Sequence, residues 1–593
     1  MPSEDLVIDQ RRRQGAFFTP LQWAQEARNT LDDVLGKDWT QTCLVWDCCA
    51  GTGNLTSGQN FATLLSSTLE SSDVQVLQQT SNFGFQYNFL QPDPQSIPKH
   101  CATLLDTAAQ TGQRLVFFIN PPYATANQRG SGSKQGVARS KNTTVWKAMS
   151  KQGLGMASQQ LYAQFVYQCI HEAHSRGFNN YTIAMFSPPL FMSSGNYEKF
   201  RRWMYGNMVC KAAWLMKASH FSDVKSNWGI SFTVWCSDGC QALDTGILCQ
   251  LKDIVYDRVI AIGEKKIYSC VTERAASSWA KEPAKQDRCS KLGAGECLIP
   301  FLSSGLQVKE TGVGNLLPGA LCYFANNANN MQDSATLVYF TSSADTRGHG
   351  MSVFSSNWRR CIALFSVRKL IPSFWYTQKD EYLTPTITDM ELEFEQWVND
   401  CHVYALLHPS NQSTSMRDVL FRGQKWTIHN HFFWKTRDEV KQACTIADCQ
   451  CLLADMEAPT HERVAPMGWS VTTEPFMATA LKQVGDNMSP EARLVLQGLN
   501  RLWQKSIKFR CDSPHKACHL HAWDAGVHQL KKSVWGETTL NTEWEALNKQ
   551  WKILENKLKS GVFKFKFLYP TALITHPPPQ KRARQCDVSH EWV

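Results

Sequence analysis

Apolar segments of strand length alternate with longer amphipathic stretches along the first part of the chain. The runs 43–46 and 115–119 are continuously apolar and end at polar residues, as strands buried on both faces of a parallel sheet do. An amphipathic pattern from residue 161 predicts a helix, and 181–187 and 229–235 predict further strands. This alternation predicts a doubly wound α/β sheet, which binds its ligand at the carboxyl ends of its strands.

The run 115–119 leads directly into Asn120, Pro121, Pro122 and Tyr123. Two consecutive prolines fix φ near about −65° and remove two donors, so the loop is rigid and its carbonyls face outward. The Asn120 side-chain oxygen and the Pro121 carbonyl can accept hydrogen bonds from an exocyclic amine, while the Tyr123 ring stacks on the base that carries it. By itself the tetrapeptide is more typical of an ordinary rigid turn.

The run 43–46 breaks into a glycine turn after Asp47. Gly51 and Gly53 can adopt φ values closed to other residues and let a ligand approach the backbone. The turn lacks the third glycine and the lysine of phosphate-binding loops, so it suits a nucleoside better than a pyrophosphate. Glu70 and Asp73 follow the next predicted strand, where an acid can bind a ribose diol, and we prefer Glu70.

These motifs resemble those of the gamma class of DNA N6-adenine methyltransferases. The family's Gly-x-Phe/Tyr-Thr-Pro element is matched at 15–20, its Asp-x-x-x-Gly-x-Gly-Asn loop at 47–54 and its Asn-Pro-Pro-Tyr at 120–123. The family's Asp-Phe dipeptide is replaced by Asn88-Phe89. Asparagine can accept the same hydrogen bond from adenine, although the uncharged amide makes a weaker contact.

The resemblance implies a Rossmann-like methyltransferase that uses S-adenosyl-L-methionine to methylate an adenine flipped out of double-stranded DNA. It implies catalytic roles for Asn120, Pro121, Pro122 and Tyr123. Tyr123 and either Phe221 or Trp228 would face the flipped base, although both of the latter equally suit a core. The cofactor-binding residues that it implies are Phe18, Thr19, Pro20, Asp47, Ala50, Gly51, Thr52, Gly53, Asn54, Glu70, Asn88 and Phe89.

From about residue 250 the chain becomes polar and aromatic. We predict a methyltransferase domain at 1–250, a mixed α+β target recognition domain at 251–480, a helical segment at 481–575 and a basic tail at 576–593. Basic side chains beside aromatic ones are candidate DNA contacts, with buried core as the alternative interpretation. These candidates are Arg359, Arg360, Arg368 and Lys435.

Two helices are predicted near the end of the chain. Serine at 489 followed by Pro490 is typical of a helix start. A second helix is predicted from Thr542 to about Leu558, ended by Gly561.

Composition agrees with a large enzyme. The chain has 593 residues, 43% of them hydrophobic, enough for about three or four domains. It has no membrane-length apolar run and no secretory leader, so we expect a cytoplasmic protein without a membrane partner. The 61 Lys and Arg against 52 Asp and Glu give a net charge of +9. Part of the excess lies at 11–13 and 581–584, which suit either solvated tails or phosphate contacts.

The 21 cysteines are scattered without a regular framework, which favours reduced thiols. Cys48 and Cys49 stand in the glycine turn and could make it sensitive to oxidation. Two groups contain metal-ligand residue types but lack the paired spacing of zinc sites, so we predict no metal. They are Cys444, Cys449 and Cys451, and Cys511, His515, Cys518, His519 and His521.

Other functions would use the same motifs. A methyltransferase could act on RNA adenine, cytosine N4 or a glutamine amide, although enzymes of the last kind look much smaller. A non-catalytic DNA-binding specificity or decoy protein would keep the fold as a scaffold, but the intact motifs argue against it. Since the motifs begin at residue 15, we expect no nuclease domain in front of them. A separate restriction or specificity subunit is a further candidate partner.

Overall fold

The computed structural model defines the fold in most of the chain. It describes residues 19–80, 83–123, 143–221, 228–285, 301–302, 308–309, 317, 319–326, 338–341, 350–372, 374–377, 382–411, 416–428, 432–457, 464–465, 474–512, 526–527, 530–531 and 538–573. The chain divides into two compact units. The first contains 1–189, 200–268 and 570–593, and the second contains 190–199 and 269–569.

Within the described residues, the first unit is built on a sheet of ten strands. They are β1 Leu44–Asp47, β2 Thr63–Thr68, β3 Phe83–Gln86, β4 Leu115–Ile119, β5 Tyr181–Ser187, β6 Val209–Lys217, β7 Gly229–Cys236, β8 Ile247–Val255, β9 Arg258–Ile267 and β18 Ala572–Leu573. Its helices are α1 Leu21–Leu35, α2 Trp39–Thr42, α3 Ser71–Thr80, α4 Lys99–Gln110, α5 Thr144–Lys151, α6 Leu161–Ser175 and most of α8 Glu198–Asn207.

The strand order is β18-β9-β8-β6-β7-β5-β4-β1-β2-β3. From β3 to β5 every neighbouring pair is parallel, whereas β7 runs antiparallel to both β5 and β6. The order reverses between β1 and β4, and ligands bind at such a switch point in open α/β sheets. The predicted doubly wound α/β sheet is therefore confirmed.

Burial explains the central strands. All five residues of β4 are buried, and Val45 and Trp46 of β1 are fully buried beside it. The predicted helix at residue 161 and the predicted strands at 181 and 229 correspond to α6, β5 and β7. The sheet continues through the β8–β9 hairpin, so the first unit extends to 268 rather than to the expected boundary at 250.

The second unit combines helices with short strands. Its helices are α7 Leu190–Ser193, α9 Ala276–Lys281, α10 Trp358–Leu370, α11 Glu391–Leu407, α12 Arg437–Ile446, α13 Gln450–Glu457, α14 Phe476–Val484, α15 Pro490–Asp512 and α16 Thr538–Lys564. Its strands are β10 Phe301–Leu302, β11 Val308–Lys309, β12 Cys322–Asn326, β13 Val338–Thr341, β14 Met351–Val353, β15 Met416–Phe421, β16 Gln424–Ile428 and β17 Val464–Ala465. A continuous apolar core joins α10, α11, α15 and α16, so the segment after residue 480 belongs to the same unit as the residues before it.

Two helix ends can be compared with their predictions. The Ser489 hydroxyl accepts a hydrogen bond from the Ala492 N–H at 3.3 Å, which caps α15 as predicted. The prediction that Gly561 ends a helix is wrong, since α16 continues to Lys564. A Cβ at 561 would lie 2.1 Å from Nε1 of Trp397, and this indole donates to the Leu558 carbonyl. Glycine at 561 makes room for the indole and does not stop the helix.

None of the helices in the described part of the chain is both long enough and apolar enough to cross a membrane.

Candidate functional site

The candidate site lies where β1 and β4 end, on the two sides of the switch point. β1 ends at Asp47 and β4 ends immediately before Asn120. Because the two strands are parallel neighbours, the loops that follow them meet at one edge of the sheet. The Cys49 thiol accepts a hydrogen bond from the Asn120 backbone, which joins the two loops directly.

The loop after β1 is a tight glycine turn. Gly51 and Gly53 have φ of 52° and 83°, in the left-handed region that favours glycine. The Gly53 N–H donates to the Ala50 carbonyl at 2.8 Å, and the Ala50 N–H donates to Ser67 of β2 at 3.0 Å. The Thr52 hydroxyl donates to the Asn54 side chain at 3.3 Å. These bonds fix the turn and bring its backbone close to the edge of the sheet.

The side-chain amide of Asn120 is oriented by two partners. Its Nδ2 donates to the Thr19 hydroxyl at 2.9 Å, and its Oδ1 accepts from the Tyr123 hydroxyl at 2.6 Å. Thr19 is only 3% exposed, so its hydroxyl is a fixed acceptor. Each bond matches the chemistry of the atom that makes it, since an amide nitrogen donates and an amide oxygen accepts. Thr19 therefore turns the oxygen of Asn120, rather than its nitrogen, towards Tyr123.

Aromatic rings border this amide on one side. The Tyr123 ring meets the partly buried Trp228 ring edge-on, with centroids 6.1 Å apart and planes at 83°. Phe221 is 1% exposed and packs against Phe186 in the core. Of the two aromatic residues predicted to face the base, Trp228 borders Tyr123, and we do not include the buried Phe221 in the proposed site.

Polar side chains also follow β2 and β3. Glu70 is exposed and directly precedes α3, whereas Asp73 lies within the first turn of that helix. Asn88 is exposed, and its side chain accepts from the Leu90 N–H at 3.2 Å. Phe89 is 2% exposed and stacks on Phe165. Phe89 thus anchors the segment that carries Asn88 and presents no free ring surface.

The glycine turn contains three groups whose ionisation is shifted by burial. Burial raises the pKa of Asp47 to about 7, against the opposing effect of hydrogen bonds from Cys49. Burial also raises the pKa of the Cys48 and Cys49 thiols well above their ordinary value. A protonated thiol is a poor nucleophile, so the structure does not favour easy oxidation of this turn. Cys48 is hydrogen-bonded to the buried Cys169 thiol, a neighbour that sequence patterns could not identify.

This edge suits the predicted nucleoside-containing cofactor. Glu70 and Asn88 are exposed at the ends of neighbouring strands and offer acceptors for ribose hydroxyls and an adenine amine. Asp47 is 1% exposed and accepts from the Cys49 N–H at 3.2 Å, so it holds the glycine turn in place. The left-handed glycines of the turn allow close approach of the ligand to the backbone. Pro20 begins the turn that leads from Thr19 into α1.

The four predicted DNA contacts in the second unit have partners inside that unit. Arg359 donates to Glu395 at 2.5 Å, and Arg360 donates to the Trp279 carbonyl at 3.0 Å. Lys435 lies 3.2 Å from Glu439. Arg368 fits the predicted role of DNA contact least well, since it is 1% exposed and hydrogen-bonded to Asn326. A buried guanidinium cannot reach a DNA phosphate unless the core opens, so we do not include Arg368 among the proposed DNA contacts.

Several predictions lie outside the described residues. They concern Phe18 and the rest of the motif at 15–18, the basic residues 11–13, the tail 576–593 and the histidines at 515, 519 and 521. Among the described residues, no group of three or more potential ligands could hold a metal ion. The cysteines from Cys43 to Cys451 in the described part of the chain are not joined by disulfides.

Sequence analysis also missed a charged cluster at the same edge, formed by Lys217, His220 and Asp253. Its members stand near the ends of the parallel strands β6 and β8. The sequence pattern that could have revealed this cluster is the presence of charged residues near the ends of two strands.

The solved structures described next are remote likenesses of this chain. No protein-family model matches the chain, and no curated protein matches it. Among solved structures, it is similar to one titled as a DrdV–DNA complex, with 14% identity and a TM-score of 0.29 over 41% of this chain and 28% of the other. A type I restriction-modification methyltransferase subunit from Streptococcus thermophilus is 15% identical, with a TM-score of 0.27 over 41% of this chain and 50% of that one.

A putative class I S-adenosylmethionine-dependent methyltransferase from Listeria monocytogenes is 11% identical, with a TM-score of 0.24 over 40% of this chain and 65% of the other. In each case the match spans less than two thirds of the other chain.

Proposed function

We propose that this chain is a sequence-specific DNA adenine N6-methyltransferase that uses S-adenosyl-L-methionine. The edge between β1 and β4 would bind both cofactor and target base. The second unit would provide target recognition, with Arg359, Arg360 and Lys435 as remaining candidate DNA contacts. A separate restriction or specificity subunit is a candidate partner.

The observation that carries the proposal is the orientation of Asn120. Its Nδ2 is held by Thr19, and its Oδ1 accepts from the Tyr123 hydroxyl, so the amide is fixed with its oxygen on the side of the aromatic ring. The rigid Pro121–Pro122 segment follows it directly. Such an arrangement suits a primary amine on a planar ring, because the amine can donate one hydrogen to Oδ1 and the other to the Pro121 carbonyl.

The residues of this edge would act by positioning. When bound, S-adenosyl-L-methionine supplies an electrophilic methyl group. Asn120 and Pro121 draw the amine hydrogens out of the ring plane and localise the lone pair on nitrogen. Tyr123 and Trp228 hold the base by aromatic contact. No general base is required before attack, because the amine would shed its surplus proton to solvent only after the methyl group has been transferred. Holding the reacting atoms in line would then supply much of the rate enhancement.

The cofactor would be held on the other side of the switch point. We assign Asp47 and the turn from Ala50 to Asn54 to its amino acid part, Glu70 to its ribose and Asn88 to its adenine. These assignments are supported by the positions of the three polar side chains at successive strand ends. They agree with the cofactor-binding roles that the family resemblance implies for these residues.

A labelling experiment tests the proposal. The purified chain is incubated with methyl-labelled S-adenosyl-L-methionine and unmethylated duplex DNA, total RNA or protein extract, and the products are identified by mass spectrometry. We expect labelled N6-methyladenine in DNA. The Asn120→Ala variant should lose about 100-fold or more of this activity, as expected when one positioned polar group is removed from a reaction site.

The exposed Asn29 on α1 provides a matched control. Asn29→Ala should retain wild-type activity. Label in cytosine, RNA or protein, but not in DNA adenine, would contradict the proposal and identify the alternative substrate. Cofactor binding without transfer to any of these acceptors would favour the non-catalytic DNA-binding alternative.

A further inference from the structure

A charged cluster lies near the candidate site, on the same edge of the sheet. Asp253 of β8 accepts hydrogen bonds from Lys217 Nζ at 2.5 Å and from His220 Nε2 at 2.8 Å. Lys217 ends β6, and His220 lies in the short turn that follows it. Since β6 and β8 are parallel to each other and β6 runs parallel to β5, all three residues stand at the edge that carries Asn120.

The cluster is a built feature rather than a chance surface pair. The side chains of Lys217, His220 and Asp253 are 34%, 20% and 17% exposed. Burial opposes ionisation of Asp253, but the bonds from His220 and Lys217 outweigh it and lower the pKa of this carboxyl to about 2. The Ile254 N–H adds a third bond at 2.9 Å. Asp253 is therefore an ionised anchor whose position is fixed from three directions.

One branch of contacts leads from the cluster towards Asn120. The His220 ring packs against the fully buried Trp23 ring, with centroids 5.3 Å apart. The Trp23 N–H donates to the Pro20 carbonyl at 3.0 Å, which fixes the first turn of α1. Thr19 directly precedes that turn, and its hydroxyl accepts from Asn120 Nδ2.

A second branch leads towards Tyr123. The Ala218 N–H donates to the Trp228 carbonyl at 2.8 Å, and the Phe221 N–H donates back to the Ala218 carbonyl at 3.0 Å. The turn 218–221 is thus closed on itself and bonded to Trp228. Trp228 in turn meets the Tyr123 ring. Thr19, which orients the Asn120 amide, and Trp228, which borders Tyr123, are therefore both connected through these contacts to the segment that Asp253 holds.

We propose that Asp253 is a positioning residue of the amine site, which acts through His220 and Lys217 to fix the turn 218–221, Trp228 and the first turn of α1. This inference rests on the proposed function for its effect on methyl transfer. The contacts that it invokes all lie within the first unit and can be tested without any ligand. The hydrogen bonds of Asp253 go to Lys217, His220 and the Ile254 N–H, so we propose that its effect on Asn120 and Tyr123 is indirect.

The test compares Asp253→Asn with Asp106→Asn. Asp106 pairs with Arg176 at 3.0 Å, and Arg176 precedes β5 at the opposite edge of the sheet. Hydrogen exchange, measured on the full chain without ligand, should become faster in peptides covering 19–24 and 214–221 for Asp253→Asn. The same peptides should be unchanged for Asp106→Asn.

Steady-state methylation of DNA supplies the second readout. For Asp253→Asn we expect kcat to fall about 10- to 100-fold, because small misplacements of reacting groups are costly. The KM for the cofactor should stay within about twofold, since Asp47, Glu70 and Asn88 lie at the ends of β1, β2 and β3, separated by β7, β5 and β4 from the strands that carry the cluster. Asp106→Asn should leave both parameters unchanged.

The outcomes separate this inference from the proposed function. Unchanged exchange at 19–24 and 214–221 would overturn it even if no substrate were known. Faster exchange with a wild-type kcat would also overturn it, because the motion would not reach the amine site. A wild-type chain that methylates no DNA would overturn the proposed function together with the catalytic part of this inference, while the exchange result would still decide whether Asp253 fixes the edge.

Discussion

The carboxyl edge of the first unit and the basic side chains of the second unit differ in where their polar groups are directed. At the edge, the Asn120 amide is held by Thr19 and Tyr123, and Glu70 and Asn88 are exposed. In the second unit, Arg359 and Arg368 are bonded to neighbours in the same unit. A binding site needs polar groups that are held in place but still have capacity for a ligand. The edge meets this requirement, whereas Arg368 does not.

The largest expected effect concerns Tyr123, whose ring borders the Asn120 amide. Tyr123→Ala removes a base-stacking ring and the hydroxyl that bonds to Asn120, so we expect DNA methylation to fall roughly 100- to 1,000-fold. Tyr123→Phe removes only the hydroxyl and should cost about tenfold, in line with one hydrogen bond. Single-turnover methylation rates at saturating cofactor measure both. Equal losses for the two variants would contradict a stacking role.

The next effect tests the contrast directly in the second unit. Arg368→Ala should destabilise the protein by about 3 kcal/mol, because it leaves a cavity in the core and removes a buried hydrogen bond to Asn326. Arg359→Ala, which removes a partly exposed ion pair with Glu395, should cost less than about 1 kcal/mol. Urea unfolding measures both changes.

A DNA-binding titration against salt provides the opposing outcome. If Arg368 contacted a phosphate, its replacement would leave stability unchanged and would lower the slope of log Kobs against log salt concentration by about 0.9. That result would remove the contrast between the two regions.

A smaller effect follows from the ionisation of Asp47. Burial raises the pKa of this carboxyl to about 7, so the folded protein keeps a proton that the unfolded chain has already lost. The resulting stabilisation is complete below the ordinary carboxyl pKa and is lost as the pH rises to about 7. Between pH 5 and pH 7 the wild type should therefore lose roughly 2 kcal/mol relative to Asp47→Asn, which has no such proton. Parallel stability profiles of the two proteins would contradict this assignment.

The edge could be predicted from sequence because its parts depend on backbone topology. Asn120 and the glycine turn directly follow buried strands, and parallel strands bring their carboxyl ends together whatever the intervening sequence. Thr19 and Asn120 bond across 101 residues of chain, and no local pattern specifies such a pairing. The burial of Arg368 and the fit of Trp397 against Gly561 likewise depend on packing between distant segments. Sequence patterns therefore locate strand ends better than they identify the partners of single side chains.

Titration of S-adenosyl-L-methionine into the wild type, Asp47→Ala and Asn120→Ala by calorimetry tests most directly whether this edge is one site with a cofactor side and an amine side. We expect Asn120→Ala to bind the cofactor with a Kd within about threefold of the wild type and Asp47→Ala to bind it at least about tenfold more weakly, a loss of about 1.4 kcal/mol. Equal loss of binding in both variants, or no binding by the wild type, would contradict the division of this edge into a cofactor side and an amine side.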